Sequence, residues 1–156
     1  MPSRTVVLPP SPVRLRACHA VQQMPQHASV AVLVVDDQVP FRMAARSVLR
    51  RADGFELVGE AETGEDAIEL VGELHPDLVL MDINMPGISG IGATRRILAA
   101  HGHVTVFLCS TYQLADLPAE AATSGARGYI NKEELSPAVV ADLWARRDGG
   151  FATIAS

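Results

Sequence analysis

The sequence predicts an α/β fold in which a parallel sheet carries helices on both faces. Short apolar runs alternate with helical segments five times along the chain, the pattern of a parallel sheet with crossover helices. Two of those runs, residues 31–35 (AVLVV) and 78–81 (LVLM), are uninterrupted, as strands buried on both faces are. Both end in carboxylates, Asp36 and Asp37 after the first and Asp82 after the second. The C-terminal edge of an open parallel sheet, where these residues fall, is where such folds keep their sites.

Taken in order, residues 30–35 are the first strand. Gln38-Val39-Pro40 opens a helix, proline being tolerated in the first turn. Phe41, Ala44, Ala45, Val48 and Leu49 recur at helical spacing up to Arg51, and Asp53-Gly54 stops the helix. Residues 55–60 (FELVGE) read as a strand near an edge, because it includes charges. Thr63 to Asp66 has capping-box spacing with Asp in place of Glu, and Ala67, Leu70, Val71 and Leu74 supply the buried face of a helix that Pro76 ends. The central strand follows, and its loop carries Pro86, Gly87 and Gly90 into a helix over about 91–100 bearing Ile91, Ile97 and Leu98.

Residues 104–109 (VTVFLC) are the fourth strand, leading to Ser110. Pro118 delays the next helix to about Asp116 or Leu117, and Gly125 closes it. Residues 128–130 are a short fifth strand, followed by Asn131-Lys132. Ser136-Pro137 is an N-cap and first-turn pair for a last helix through Val139, Val140, Leu143 and Trp144.

With 156 residues, the chain has one domain's worth of sequence, and its 48% hydrophobic and 20% charged content is ordinary for a globular protein. No apolar run approaches the ~20 residues that span a bilayer. Residues 1–28 carry Arg4, Arg14 and Arg16 and no acidic residue, so of the net −5 this leader holds +3 and the rest of the chain −8. That acidic body argues against direct nucleic-acid binding. The leader, with four prolines before Val13 and no sustained apolar core, is a poor signal peptide and reads as a disordered segment. Met24 stands where a start codon would suit the first strand, and residues 1–23 are expected to be dispensable for folding. Two cysteines, Cys18 and Cys109, make no disulfide framework, which points to a reducing cytoplasm.

The chemistry lies at the strand ends: Asp36 and Asp37, Asp82, Ser110 after the fourth strand, and Lys132 after the fifth. Any one of these would pass for a helix cap or a solvated lysine; all five at strand ends would not. Carboxylates about 5 Å apart repel by about 3 kcal/mol per pair at an effective dielectric of about 20. Oxygen-only ligands without His or Cys favour Mg2+, completed by phosphate oxygens. A lysine and a hydroxyl at the same edge suit phosphoryl oxygens. Together they describe phosphoryl chemistry with an aspartate as covalent acceptor.

VLVVDD, LVLMDINMPGISG, Ser110 and GYINK resemble the receiver domain of bacterial response regulators, the CheY-like family, over about residues 30 to 147. Asp82 to Ser110 spans 28 positions and Ser110 to Lys132 spans 22, as in that family. The resemblance implies a flavodoxin-like, doubly wound, five-stranded sheet of order 2-1-3-4-5, with a receiver over 29–148 and a C-terminal tail over 149–156. It makes Asp82 the phosphoacceptor, charged by a sensor histidine kinase or phosphotransfer protein in a Mg2+-dependent step. Asp36 and Asp37 would be the metal-site acids, Asp37 directly and Asp36 mainly through water, with Asn84 lending its backbone carbonyl. Ser110 would be the switch hydroxyl, Tyr129 the aromatic that turns inward after it, and Lys132 the phosphate-pairing lysine. Asn84 and Tyr112, each two residues past a reactive group, would flank the incoming water and tune the phosphoryl lifetime. No enzymatic turnover beyond self-phosphotransfer and autodephosphorylation is implied, no membrane is involved, and a phosphorylation-dependent homodimer stays open, as does the downstream target.

The sequence departs from the family at three points: Glu133 follows Lys132 where many members have proline, Pro118 shortens the fourth helix, and Thr111 replaces a smaller residue. GISGIG (87–92) evokes a nucleotide-binding loop, but its glycine order is GxxGxG and no acidic residue ends the next strand. A metal-dependent aspartyl phosphohydrolase would need the same parts plus a second acid near Asp82, where Asn84 stands. LWARRDGGFATIAS resembles the start of a linker to a helix-turn-helix domain. The expectation is a stand-alone receiver; the alternative is the receiver half of a longer DNA-binding regulator.

Overall fold

A computed structural model describes residues 28–154. Residues 1–27 of the leader, Met24 among them, lie outside the described residues. Five parallel strands form, β1 (Val30–Val35), β2 (Phe55–Ala61), β3 (Leu78–Asp82), β4 (Thr105–Ser110) and β5 (Gly128–Asn131), in the order 2-1-3-4-5. β3 is buried at every position, as its apolar run requires, and β4 is too although it includes Thr105 and Ser110, while β2 lies at the edge.

Alternation along the strands divides the core. Leu33, Val35, Val79, Met81, Val106 and Leu108 face one layer, where they meet α2 (Gly64–Leu74), α3 (Gly90–Ala100) and Ala121 of α4 (Ala119–Thr123). Val32, Val34, Leu78, Leu80, Phe107 and Ile130 face the other, against α1 (Val39–Arg51) and α5 (Pro137–Ala145). The caps read from the sequence are made: Thr63 accepts from the Asp66 N–H and Ser136 from the Val139 N–H. Each such cap contributes about 1 kcal/mol.

The structure departs from expectation in four places. A short sixth strand, β6 (Ala152–Thr153), pairs parallel with β5, where only a tail was expected over 149–156. Its register follows from a close approach: a Cβ on Gly128 would stand 2.9 Å from the Ala152 carbonyl oxygen. The fourth helix is broken into a 3-10 turn at Leu114–Asp116 and the five residues of α4, because Pro118 lacks the N–H that would join them. β4 starts one residue later than expected, at Thr105, and takes in Ser110. Two residues assigned to buried faces are exposed. Ala44 sits off the stripe of Phe41, Ala45, Val48 and Leu49, and Leu74 is 38% exposed where it lies over Gly59 of the edge strand. All peptide bonds among the described residues are trans, that between Lys132 and Glu133 included.

Gly90 is what lets α3 begin directly beneath the end of β3. Its N–H donates to the Ile83 carbonyl at 2.9 Å, and a Cβ there would fall inside the Asp82 carbonyl oxygen. Gly90→Ala is expected to cost about 3 kcal/mol, read as a lower urea midpoint, because backbone rather than a flexible side chain must move.

Candidate functional site

The register brings every predicted strand-end residue to one edge. Val35 pairs with Met81, Asp82 with Cys109, and Ser110 with Asn131. Asp36 and Asp37, Asp82, Ser110 and Lys132 therefore emerge from neighbouring strands at the same level. One carboxylate oxygen from each of Asp36, Asp37 and Asp82 lies within 4.8 Å of the others. Asp36 is wholly buried, Asp82 is 3% exposed, and Asp37 faces solvent.

Lys132 reaches into this cluster from the turn after β5. Its Nζ is 2.6 Å from Asp36 Oδ2 and 3.2 Å from Asp82 Oδ1, so one ammonium is paired with two carboxylates. Three acids against one lysine leave a formal −2 in a largely buried place. Asp82 shows the consequence: burial, then the neighbouring Asp36 charge, push its carboxyl up to about 6 against the pull of Lys132. Burial would lower the Lys132 ammonium, but contact with Asp36 and the charges of Asp82 and Asp36 outweigh it and hold it above its ordinary value. The all-oxygen donor set with surplus negative charge fits a hard divalent cation. Both Asp36 oxygens already have protein partners, Lys132 and the Gln38 N–H at 2.8 Å. Asp37 and Asp82 are thus the better placed to reach a cation directly.

Ser110, Tyr112 and Tyr129 form a second cluster beside the first. The Tyr129 ring is 4% exposed and turned inward. Its hydroxyl stands 2.8 Å from Ser110 Oγ, 2.6 Å from the Tyr112 carbonyl and 3.2 Å from the Ser110 carbonyl. Ser110 Oγ also accepts the Tyr112 N–H at 3.1 Å. Burial raises the Tyr129 phenol above its ordinary pKa although Ser110 pulls the other way. At the rim, the Tyr112 hydroxyl lies 3.4 Å from Asn84 Oδ1, bridging the β3 and β4 loops. Asn84 is exposed.

Three contributors escape a reading of strand ends. Arg42 on α1 donates to the Asp36 carbonyl at 2.7 Å while facing Glu60 at 3.5 Å and Glu62 at 3.0 Å, which fixes the β1–α1 turn. Glu65, in the first turn of α2, accepts the Ile88 N–H at 3.2 Å and steadies the loop after Asp82. Phe41 places its ring 4.8 Å from Lys132 Nζ. Arg42 and Phe41 could have been found as the residues that the first turn of α1 brings back over β1; nothing in the sequence marks Glu65.

Comparison with known proteins bears on the same residues. The model of the response regulator receiver domain matches residues 32–143. The chain belongs to that family. It is a receiver, a phosphoacceptor signalling domain of two-component systems, with an acidic site at Asp36, Asp37 and Asp82. It is 39% identical over 103 residues to response regulator GacA of Pseudomonas viridiflava, covering 66% of this chain and 48% of that protein. The receiver thus spans about half the length of the curated relatives it matches. Among solved structures it resembles a LuxR-family two-component response regulator of Aurantimonas sp. SI85-9A1, with TM-score 0.70, 31% identity, and 81% and 89% of the two chains covered. It also resembles the CheX–CheY–BeF3–Mg2+ complex of Borrelia burgdorferi, with TM-score 0.63, 28% identity, and 73% and 85% covered. No helix among the described residues of this receiver is long and apolar enough to cross a membrane.

The raised Asp82 carboxyl fixes a pH dependence. Folded Asp82 holds a proton between about pH 4 and 6 that the unfolded chain releases, so its contribution favours folding below that window and is lost as pH rises through about 6. Without divalent cations, Asp82→Asn is therefore expected to gain stability relative to the native chain by about 1–3 kcal/mol between pH 4.5 and pH 7.5. Paired urea melts at the two pH values read it directly.

Proposed function

We propose that this receiver takes a phosphoryl group on Asp82 from a phosphohistidine of a sensor kinase or phosphotransfer protein, or from a small acyl phosphate. The observation that carries the reading is the placement of a buried Asp82 carboxylate between Lys132 and the acids Asp36 and Asp37. An Asp82 oxygen bonds to phosphorus while the bond from phosphorus to the donor's nitrogen or oxygen breaks, and that electron pair leaves with the donor. Asp37 and Asp82 would hold Mg2+, with Asp36 through water and the Asn84 backbone carbonyl completing the protein's share. Mg2+ supplies neutralisation of the crowded oxygens, and the Mg2+ in the Borrelia complex supports that choice of ion. Lys132, already 3.2 Å from Asp82, pairs with a phosphoryl oxygen. Catalysis here is positioning and charge compensation.

Proton bookkeeping supports Ser110 and Tyr129 as the switch. Tyr129 has one hydroxyl proton, and its shortest partner is the Tyr112 carbonyl, so Ser110 is left to donate to Tyr129. For Ser110 to donate instead to a phosphoryl oxygen on Asp82, it must release the phenol. We take 29–148 as the receiver proper, with β6 of the following segment laid against its edge, and the acidic body suits protein partners in the cytoplasm rather than direct contact with DNA. We read the receiver as competent by itself for phosphoryl acceptance. Its likeness to GacA over half of that protein's length supports a second reading as the regulatory half of a longer regulator.

Incubation with acetyl phosphate and Mg2+ is expected to add one phosphoryl group by intact-mass measurement, abolished in Asp82→Asn and by chelator; equal labelling of the variant would overturn the assignment. Tyr112 governs how long that group lasts. Its ring at the rim beside Asn84 takes volume from the water needed in line with the breaking P–O bond. Tyr112→Ala is expected to shorten the phosphorylated lifetime severalfold after donor removal, at fixed Mg2+, with Asp82 still fully labelled.

A further inference from the structure

Lys132 is held from three sides, and only two of them are charged. Asp36 and Asp82 pull its Nζ at 2.6 and 3.2 Å, and the ring of Phe41 stands 4.8 Å away. The lysine side chain is 11% exposed and the Phe41 residue 8%. Both are therefore largely withdrawn from water, where the negative face of an aromatic ring attracts a cation most strongly. Phe41 is fixed in turn by its place on α1. It follows Pro40 in the first turn and packs in the same cluster as Val34, Leu80, Cys109 and Ile130, the strands that carry the site. Arg42, the next residue, ties the same turn to the Asp36 carbonyl.

We infer that Phe41 is a positioning residue for phosphoryl transfer, its ring face setting where the Lys132 ammonium stands. The inference rests on the proposed reaction at Asp82. A lysine is a point charge on a stem of four rotatable carbon–carbon bonds, so attraction alone does not fix it. The shorter contact is to Asp36, which does not accept the phosphoryl group; left to the two carboxylates, the ammonium is drawn towards that acid. The ring supplies attraction that keeps its place while negative charge moves from donor to Asp82, since its quadrupole does not change during the reaction. An aliphatic side chain of similar bulk would fill the same space without this attraction.

The test replaces Phe41 in the full chain with mono-, di- and trifluorophenylalanine, which nearly conserve volume while progressively erasing the negative ring face. The initial rate of Asp82 labelling by acetyl phosphate with saturating Mg2+ is expected to fall stepwise, by about fivefold at trifluoro, the rate equivalent of about 1 kcal/mol. The same series at Phe107, wholly buried and paired with Gly128 four residues before Lys132, is expected to leave the rate unchanged. Independently of activity, the Lys132 Cε protons should show an upfield ring-current shift in the native chain that Phe41→Leu removes. A flat rate series at position 41, or no such shift, overturns the inference. If the native chain itself is not labelled at Asp82, the functional reading fails instead, and the ring-current measurement still decides whether the ring faces the ammonium.

Discussion

Three carboxylates converge to within 4.8 Å against a single ammonium, and much of the remaining architecture serves to hold that imbalance in place. A fold optimised only for stability would not bury Asp36 and Asp82 side by side. Burial and mutual repulsion already press the Asp82 proton affinity upward to about 6. The opposing elements are rigid ones: two fully buried strands, a glycine without which α3 could not start under Asp82, and an arginine that ties the Asp36 turn to the edge strand. Stability given up at the site is offset in the two core layers, where the central strands bury nearly all of their side chains.

That division explains what could be read from the sequence. Strands β1 and β3 are legible because a run buried on both faces has no polar alternation to confuse it, and because each ends in an acid with no structural use for so many charges. The convergence of Asp36, Asp37, Asp82, Ser110 and Lys132 follows from parallel strands in register, which periodicity and loop signals establish. The α4 region is less legible: Pro118 announces an interruption but not the 3-10 turn that precedes it, since a turn of three residues has no periodicity to detect. β6 is invisible for a similar reason. Two residues carry no pattern, and what places them is the bare backbone of Gly128, a tertiary fact.

Within the site, the residues that a reading of strand ends misses are those acting through backbone or ring faces. Arg42 and Glu65 secure loops by hydrogen bonds to a main-chain carbonyl and a main-chain N–H, so their partners have no sequence identity to search for. Phe41 looks like one more apolar residue at helical spacing, and it is indeed core. Its second role arises only because the Lys132 ammonium stands over its ring. Charged residues at an edge advertise chemistry, whereas the apolar residues that aim them look like packing.

The position of Tyr129 joins the site to the far edge of the sheet. Its hydroxyl is in the Ser110 cluster, while its backbone pairs with Thr153 of β6, and Arg146, just past the end of α5, donates to the Thr153 carbonyl at 3.2 Å. In the proposed reaction, Ser110 gives up its bond to the phenol in favour of a phosphoryl oxygen. The phenol then keeps the Tyr112 carbonyl as its main partner, and that carbonyl is shared with Asn131 Nδ2 at 3.1 Å. A change of one hydroxyl's partner is thereby felt by the β4–α4 loop, by the end of β5 and by the strand laid against it. Because the core on either side is close-packed, such a rearrangement proceeds between discrete packings rather than by gradual deformation. The short α4, with Ala121 as its buried residue, and the two-residue, half-buried β6 lie on the β5 side of the sheet, opposite the edge formed by β2.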